Sequence, residues 1–98
     1  MYMKIIYTDG IFDLFHRGHL EYIKHCKETF ADVFLIVGIV NDKDATGYKR
    51  PPIYCENDRY EIISNIKYVD KIVKDAPLII DENFMNEHQI DYVIHSFS

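Results

Sequence analysis

Ninety-eight residues, 48% of them apolar and 28% charged, suit one soluble globular domain with one modest core. The formal net charge of −5 argues against a protein that coats nucleic acid, because phosphate backbones recruit basic surfaces. It leaves room for a small anionic ligand held by local charge. Cys26 and Cys55 match no zinc spacing and give no disulfide framework, so they read as thiols in a reducing compartment. The start MYMKIIYTDG lacks a basic region followed by an apolar one. No apolar run approaches the ~20 residues of a bilayer span. A cytoplasmic protein is expected.

In chain order, Lys4 to Thr8 is a short run rich in β-branched and aromatic residues and predicts a strand. Asp9-Gly10 breaks it. Leu20, Ile23 and Phe30, with Cys26 near the same stripe, recur at helical spacing and predict a helix from about Gly18 to about Thr29. Val33 to Val40 is almost wholly apolar, which predicts a central parallel strand covered on both faces. Asn41 to Tyr54 reads as a polar loop carrying Gly47, Lys49, Arg50, Pro51 and Pro52. A second helix is expected from Glu56 to about Lys67, with Ile62, Ile63 and Ile66 as its apolar stripe and carboxylates in its first turn. Lys71 to Val73 predicts a short strand. Asp81 is a plausible N-cap for a third helix through about His88, with Phe84, Met85 and His88 on one face. Ile90 to His95 predicts the last strand. Alternating strands and helices predict an α/β fold: a doubly wound parallel sheet, Rossmann-like, with helices on both faces and right-handed crossovers. No repeat or linker divides the chain.

The stretch DLFHRGHL, residues 13 to 20, carries the chemistry. It lies between the first strand and the first helix, at the sheet edge where open α/β folds bind ligands. Free N–H groups and the dipole at a helix start make an anion site. Gly18 lets a phosphate approach the backbone, and His16 and His19 can each donate a hydrogen bond to a phosphate oxygen. The bland alternative is a pair of surface or capping histidines. Zinc is disfavoured, since His-x-x-His supplies two ligands where three or four are needed, and His25 and His88 read as helix-face residues.

DGIFDLFHRGHLEYI closely resembles the first signature of the cytidylyltransferases, the His-x-Gly-His nucleotidyltransferases. The wider chain resembles the eukaryotic choline-phosphate branch. The resemblance continues through FLIVGIVNDKD, GYKRPP, ENDRYEIISNIKYVDKIVKDAP and NEHQIDYVIH, in the family's order, from about residue 4 to about residue 95. It implies a Rossmann-like nucleotidyltransferase fold and a reaction of phospholipid synthesis. CTP and phosphocholine, or phosphoethanolamine, would give a CDP-alcohol and pyrophosphate. By this resemblance His16, His19 and Lys49 are catalytic, Lys49 bridging the phosphates of both substrates. Ile11, Phe12, His16, Gly18, His19 and Arg59 contact CTP. Asp9, Lys49 and His95 contact phosphocholine, Asp9 facing the cationic head. Mg²⁺ is expected with CTP, with no metal held by the protein itself. The resemblance also implies a homodimer formed through the first signature and Lys67-Tyr68-Val69-Asp70. The residue-level alternatives are a turn-forming Asp9, a solvated Lys49, and an Arg59 paired on the helix surface with Glu56.

Three departures qualify the match. The family's second signature, resembling Arg-Thr-Glu-Gly-Ile-Ser-Thr and closing over the CTP phosphates, does not occur before Ser98, so low turnover is expected of these 98 residues. His95-Ser96-Phe97 stands where the choline enzymes carry His-Asp-Asp. Leu78 stands where they carry an aromatic residue suited to a quaternary ammonium. Choline remains the favoured substrate, with ethanolamine as the alternative suggested by Pro51-Pro52. A non-catalytic nucleotide-binding or dimerisation module and an adenylyl-transferring relative are further readings.

Overall fold

The computed structural model describes residues 3–48 and 50–95. The elements run β1 (Lys4–Gly10), α1 (Arg17–Lys27), β2 (Val33–Ile39), α2 (Asp42–Tyr48), α3 (Glu56–Ser64), β3 (Lys71–Lys74), α4 (Glu82–His88) and β4 (Tyr92–Ile94). Every strand pairing is parallel, and the order across the sheet is β3-β2-β1-β4. The chain starts at β1, winds outward through β2 and β3, and returns to the far side of β1 with β4. This is the doubly wound parallel sheet that the alternation of elements predicts.

Alternation along the central strands divides the core into two layers. Ile6 of β1 and Val33, Leu35, Val37 and Ile39 of β2 pack with Ile23 and Cys26 of α1 and Tyr60 and Ile63 of α3. Tyr7 and Ile36 face the other way, against Phe84 and Met85 of α4. A strand buried on both faces has no wet side, which is why β2 reads as a continuous apolar run. Gly38 interrupts that run for a packing reason: a Cβ there would fall 2.0 Å from the Tyr7 hydroxyl and 2.9 Å from the Ala76 Cβ. Gly38→Ala is therefore expected to cost about 1–3 kcal/mol by overpacking, read as a lower urea midpoint at unchanged slope. A midpoint equal to wild type would show that the ring moves aside freely.

The structure corrects the sequence reading in several places. Asn41 to Tyr54 is not all loop, because α2 occupies its first half. The Asn41 side chain accepts from the Asp44 N–H at 2.6 Å, an N-cap, and Ala45 is fully buried. So short a helix with an internal Gly47 carries no periodicity to detect. Helix α3 stops at Ser64, not near Lys67. Ile66 and Val69 then turn through bonds to the carbonyls of Ile63 and Ile66. Phe30 lies beyond α1, 37% exposed, and stacks on Tyr92 at 5.2 Å. Within the Lys67–Asp70 stretch, Asp70 bonds inside the chain, accepting from Lys27 Nζ at 2.5 Å and the Leu35 N–H at 2.7 Å. Asp81 caps α4 as expected, accepting from the Phe84 N–H at 2.8 Å. Among the described residues, no helix is long and apolar enough to cross a membrane.

Candidate functional site

The turn from β1 into α1 is built under strain. Phe12 and Leu14 have φ of 55° and 49°. Neither is glycine, so each left-handed residue costs roughly 1–2 kcal/mol, which the surroundings must offset. Two side chains hold this turn. Asp13 accepts from the N–H groups of Ile53 and Tyr54 at 2.7 and 2.8 Å. Arg59, 0% exposed, donates to the carbonyls of Ile11 at 2.9 Å and Val40 at 2.6 Å. It also donates to Tyr54 O at 3.1 Å and to Asp42 Oδ1 at 2.6 Å. Burial would raise the Asp13 pKa. The amides of Tyr54, Ile53 and Leu14, with Arg59, outweigh that and hold the carboxyl below its usual range.

The two histidines cap α1 with their own side chains. The Gly18 N–H donates to His16 Nδ1 at 2.9 Å, and the His16 N–H donates to His19 Nδ1 at 3.2 Å. An Nδ1 that accepts from a backbone N–H carries no proton, so these bonds assign the neutral rings' protons to Nε2. Both rings thus keep an Nε2–H donor clear of the backbone. Their centroids are 4.1 Å apart. His19 is stacked on Phe15 at 5.4 Å and meets the edge of Phe12 at 5.8 Å. Burial, then proximity to His16, lowers the His19 pKa, and Asp13 opposes weakly. A Cβ at residue 18 would come within 2.7 Å of His16 Cε1, so the glycine admits the ring that caps it.

Asp9 and His95 meet at the same sheet edge, at the ends of β1 and β4. Asp9 Oδ1 is 4.0 Å from His95 Nδ1, with the carboxylate side chain 19% exposed and the imidazole 65%. Burial raises the Asp9 pKa, and His95 partly offsets this. Beneath them Thr8 Oγ1 donates to Ile94 O at 2.8 Å and lies 2.7 Å from the Tyr22 hydroxyl, fastening β4 to β1 and α1.

The structure therefore brings His16, Gly18 and His19 together, and Asp9 with His95. Phe12 is buried in the core beside His19, so its ring packs and its backbone shapes the turn. Ile11 offers its carbonyl to Arg59. For Arg59 the reading changes: it is no surface residue, its ion-pair partner is Asp42 and not Glu56, and its guanidinium is engaged by protein acceptors. Glu56 instead accepts from the Asp42 N–H at 2.8 Å. In this geometry Arg59 positions the turn. Lys49 lies outside the described residues. Asp13, Thr8 and Tyr22 went unassigned in the sequence because their partners are distant along the chain, although Asp13 sits inside the signature stretch.

Residues 7–97 match the sequence model of the family described as Cytidylyltransferase-like. The chain belongs to this family. Choline-phosphate cytidylyltransferase 2 of Arabidopsis thaliana is 41% identical over 90 residues, covering 92% of this chain and 30% of that protein. Ethanolamine-phosphate cytidylyltransferase of the same organism is 37% identical over 94 residues, covering 92% of this chain and 22% of that protein. The chain thus spans less than a third of these relatives' length. The crystal structure of a lipopolysaccharide core biosynthesis protein from Thermoplasma volcanium aligns with a TM-score of 0.80 at 28% identity, covering 94% of this chain and 73% of that one.

Proposed function

We propose that the protein transfers a cytidylyl group from CTP to a phosphorylated amino alcohol, phosphocholine foremost, and releases pyrophosphate. The observation that carries this reading is the His16–His19 pair. Two Nε2–H donors stand side by side at a helix start, with Gly18 between them. In the reaction an oxygen of the alcohol's phosphate attacks the α-phosphorus of CTP, and the bond to the pyrophosphate oxygen breaks. Negative charge gathers on the triphosphate oxygens, so catalysis is positioning and charge stabilisation. His16 and His19 donate to those oxygens. Lys49 is assigned to bridge the two substrates by its place in the family pattern. Asp9, with His95 beside it, receives the cationic head. Among the described residues no three His, Cys, Asp or Glu side chains converge on a point. Mg²⁺ is proposed to enter with CTP, as the usual partner of a nucleoside triphosphate. A homodimer in the cytoplasm completes the proposal.

Phosphocholine is favoured by the higher identity to the choline-phosphate relative. Phosphoethanolamine is the second reading, favoured by Leu78, which stands 53% exposed where an aromatic residue would suit a quaternary ammonium. The test is pyrophosphate release with CTP, Mg²⁺ and each phospho-alcohol in turn, beside a calorimetric titration with CTP. Release that depends on one phospho-alcohol names the substrate. A folded protein that does not bind CTP overturns the proposal and leaves a non-catalytic module.

A further inference from the structure

We propose that the Tyr7 hydroxyl is a direct contact for the head of the phosphorylated alcohol, standing beside Asp9 on the floor of its pocket; this rests on the function proposed above. Tyr7 is fully buried. Its Oη is a buried side-chain polar atom with no hydrogen-bond partner among the described residues. Native structures leave few such groups, and each asks for an explanation. Phenylalanine would fill the same ring volume without a stranded hydroxyl, so packing alone does not account for tyrosine.

The position of the hydroxyl supplies the account. Tyr7 pairs in register with Ile36, and Asp9 with Gly38. Yet the Tyr7 hydroxyl lies over Gly38, in the space a Cβ would take. The ring therefore leans toward the carboxyl edge and brings its hydroxyl to the rung of Asp9. Residues two apart on a strand share a face, so the hydroxyl and the carboxylate stand on the same side. Asp9 meets His95 only at 4.0 Å, too far for a hydrogen bond. Among the described residues the hydroxyl has no hydrogen-bond partner and the carboxylate meets His95 only at 4.0 Å, both at the ligand-binding edge. The segment after β3 reaches the same spot: it begins with Asp75 at φ 55° and the buried Ala76, whose Cβ lies 2.9 Å from where a Cβ at Gly38 would stand. It goes on to expose Leu78 and Ile79 at 53% and 80%.

The chemistry separates the two head groups. A primary ammonium has N–H donors that the Tyr7 oxygen can accept. A quaternary ammonium offers only methyl C–H groups, a weaker contact. The test is Tyr7→Phe, with phosphoethanolamine, phosphocholine and CTP titrated separately. Phosphoethanolamine affinity is expected to fall about two- to tenfold, the worth of one neutral hydrogen bond. Phosphocholine affinity should fall less, and CTP affinity should hold. The melting temperature of the free protein should not fall, because no bond is lost. A lower melting temperature would reveal a structural partner, such as a trapped water, and overturn the inference. So would unchanged affinity for both phospho-alcohols while wild type binds them. If the wild-type chain binds neither, the substrate reading itself fails and takes this inference with it.

Discussion

Arg59→Leu is expected to remove about 3–5 kcal/mol of folding stability, the cost of losing a buried guanidinium and leaving several of its acceptors unpaired. The guanidinium is 0% exposed and donates to three carbonyls and one carboxylate at 2.6 to 3.1 Å. Those carbonyls belong to Ile11, Val40 and Tyr54, so one side chain joins the β1–α1 turn, the end of β2 and the approach to α3. Leucine would leave the three carbonyls without this donor, the Val40 carbonyl in a fully buried contact. A domain of this size has about 5–15 kcal/mol in total, so the variant approaches its unfolding threshold. Arg59→Lys should fare little better, since a single ammonium does not reproduce the planar fork. Asp42→Asn should cost only ~1 kcal/mol, because Asp42 is 42% exposed and an amide oxygen still accepts. Urea unfolding followed by circular dichroism measures all three. A loss below ~1 kcal/mol for Arg59→Leu would mean that the turn holds its left-handed residues without the clamp.

Much of the fold was legible because its signals are local. The apolar run at β2 needs no partner to be recognised, and Asp81 caps α4 through a bond three residues away. The histidine turn was legible for the same reason: His16, Gly18 and His19 make their bonds to one another. Illegible features depend on distant partners or lack a period. Arg59 lies in a polar run, Glu56-Asn-Asp-Arg59, that reads as a solvated first turn. Its acceptors at Val40 and Ile11 stand 19 and 48 residues away. Asp13 reaches 40 and 41 residues forward to the amides of Ile53 and Tyr54. No window of helical or strand spacing contains such a pair. Helix α2 was missed on the second ground, since a run so short offers no stripe. Sequence pattern thus located the groups proposed to meet substrate, while the groups that hold them in place emerged only from tertiary contacts.

His19→Ala should lower the rate of CDP-alcohol formation about 10²–10³-fold, as expected for one preorganised donor to developing negative charge. The same side chain ties proton uptake to nucleotide binding. In the free protein, burial and His16 lower the His19 pKa, so the ring is largely neutral near pH 7. A bound triphosphate places anionic oxygens at its Nε2–H and favours the charged form. CTP binding should therefore take up protons and tighten as pH falls toward the ordinary histidine value of ~6.5. The stability of the free protein runs the other way. A histidine with a lowered folded pKa binds fewer protons in the native state than in the unfolded chain. Its contribution is fully present above ~6.5 and is lost as pH drops from there through the folded value. Calorimetry in two buffers of different ionisation enthalpy reads the uptake, and thermal unfolding against pH reads the linkage. His19→Ala should abolish the proton uptake assigned to this ring and flatten that part of the stability profile. His19→Gln, which keeps a neutral donor, should recover part of the rate without the pH dependence. If uptake persists undiminished in His19→Ala, another group carries the proton, and the ring's part in holding the triphosphate reduces to that of a neutral donor.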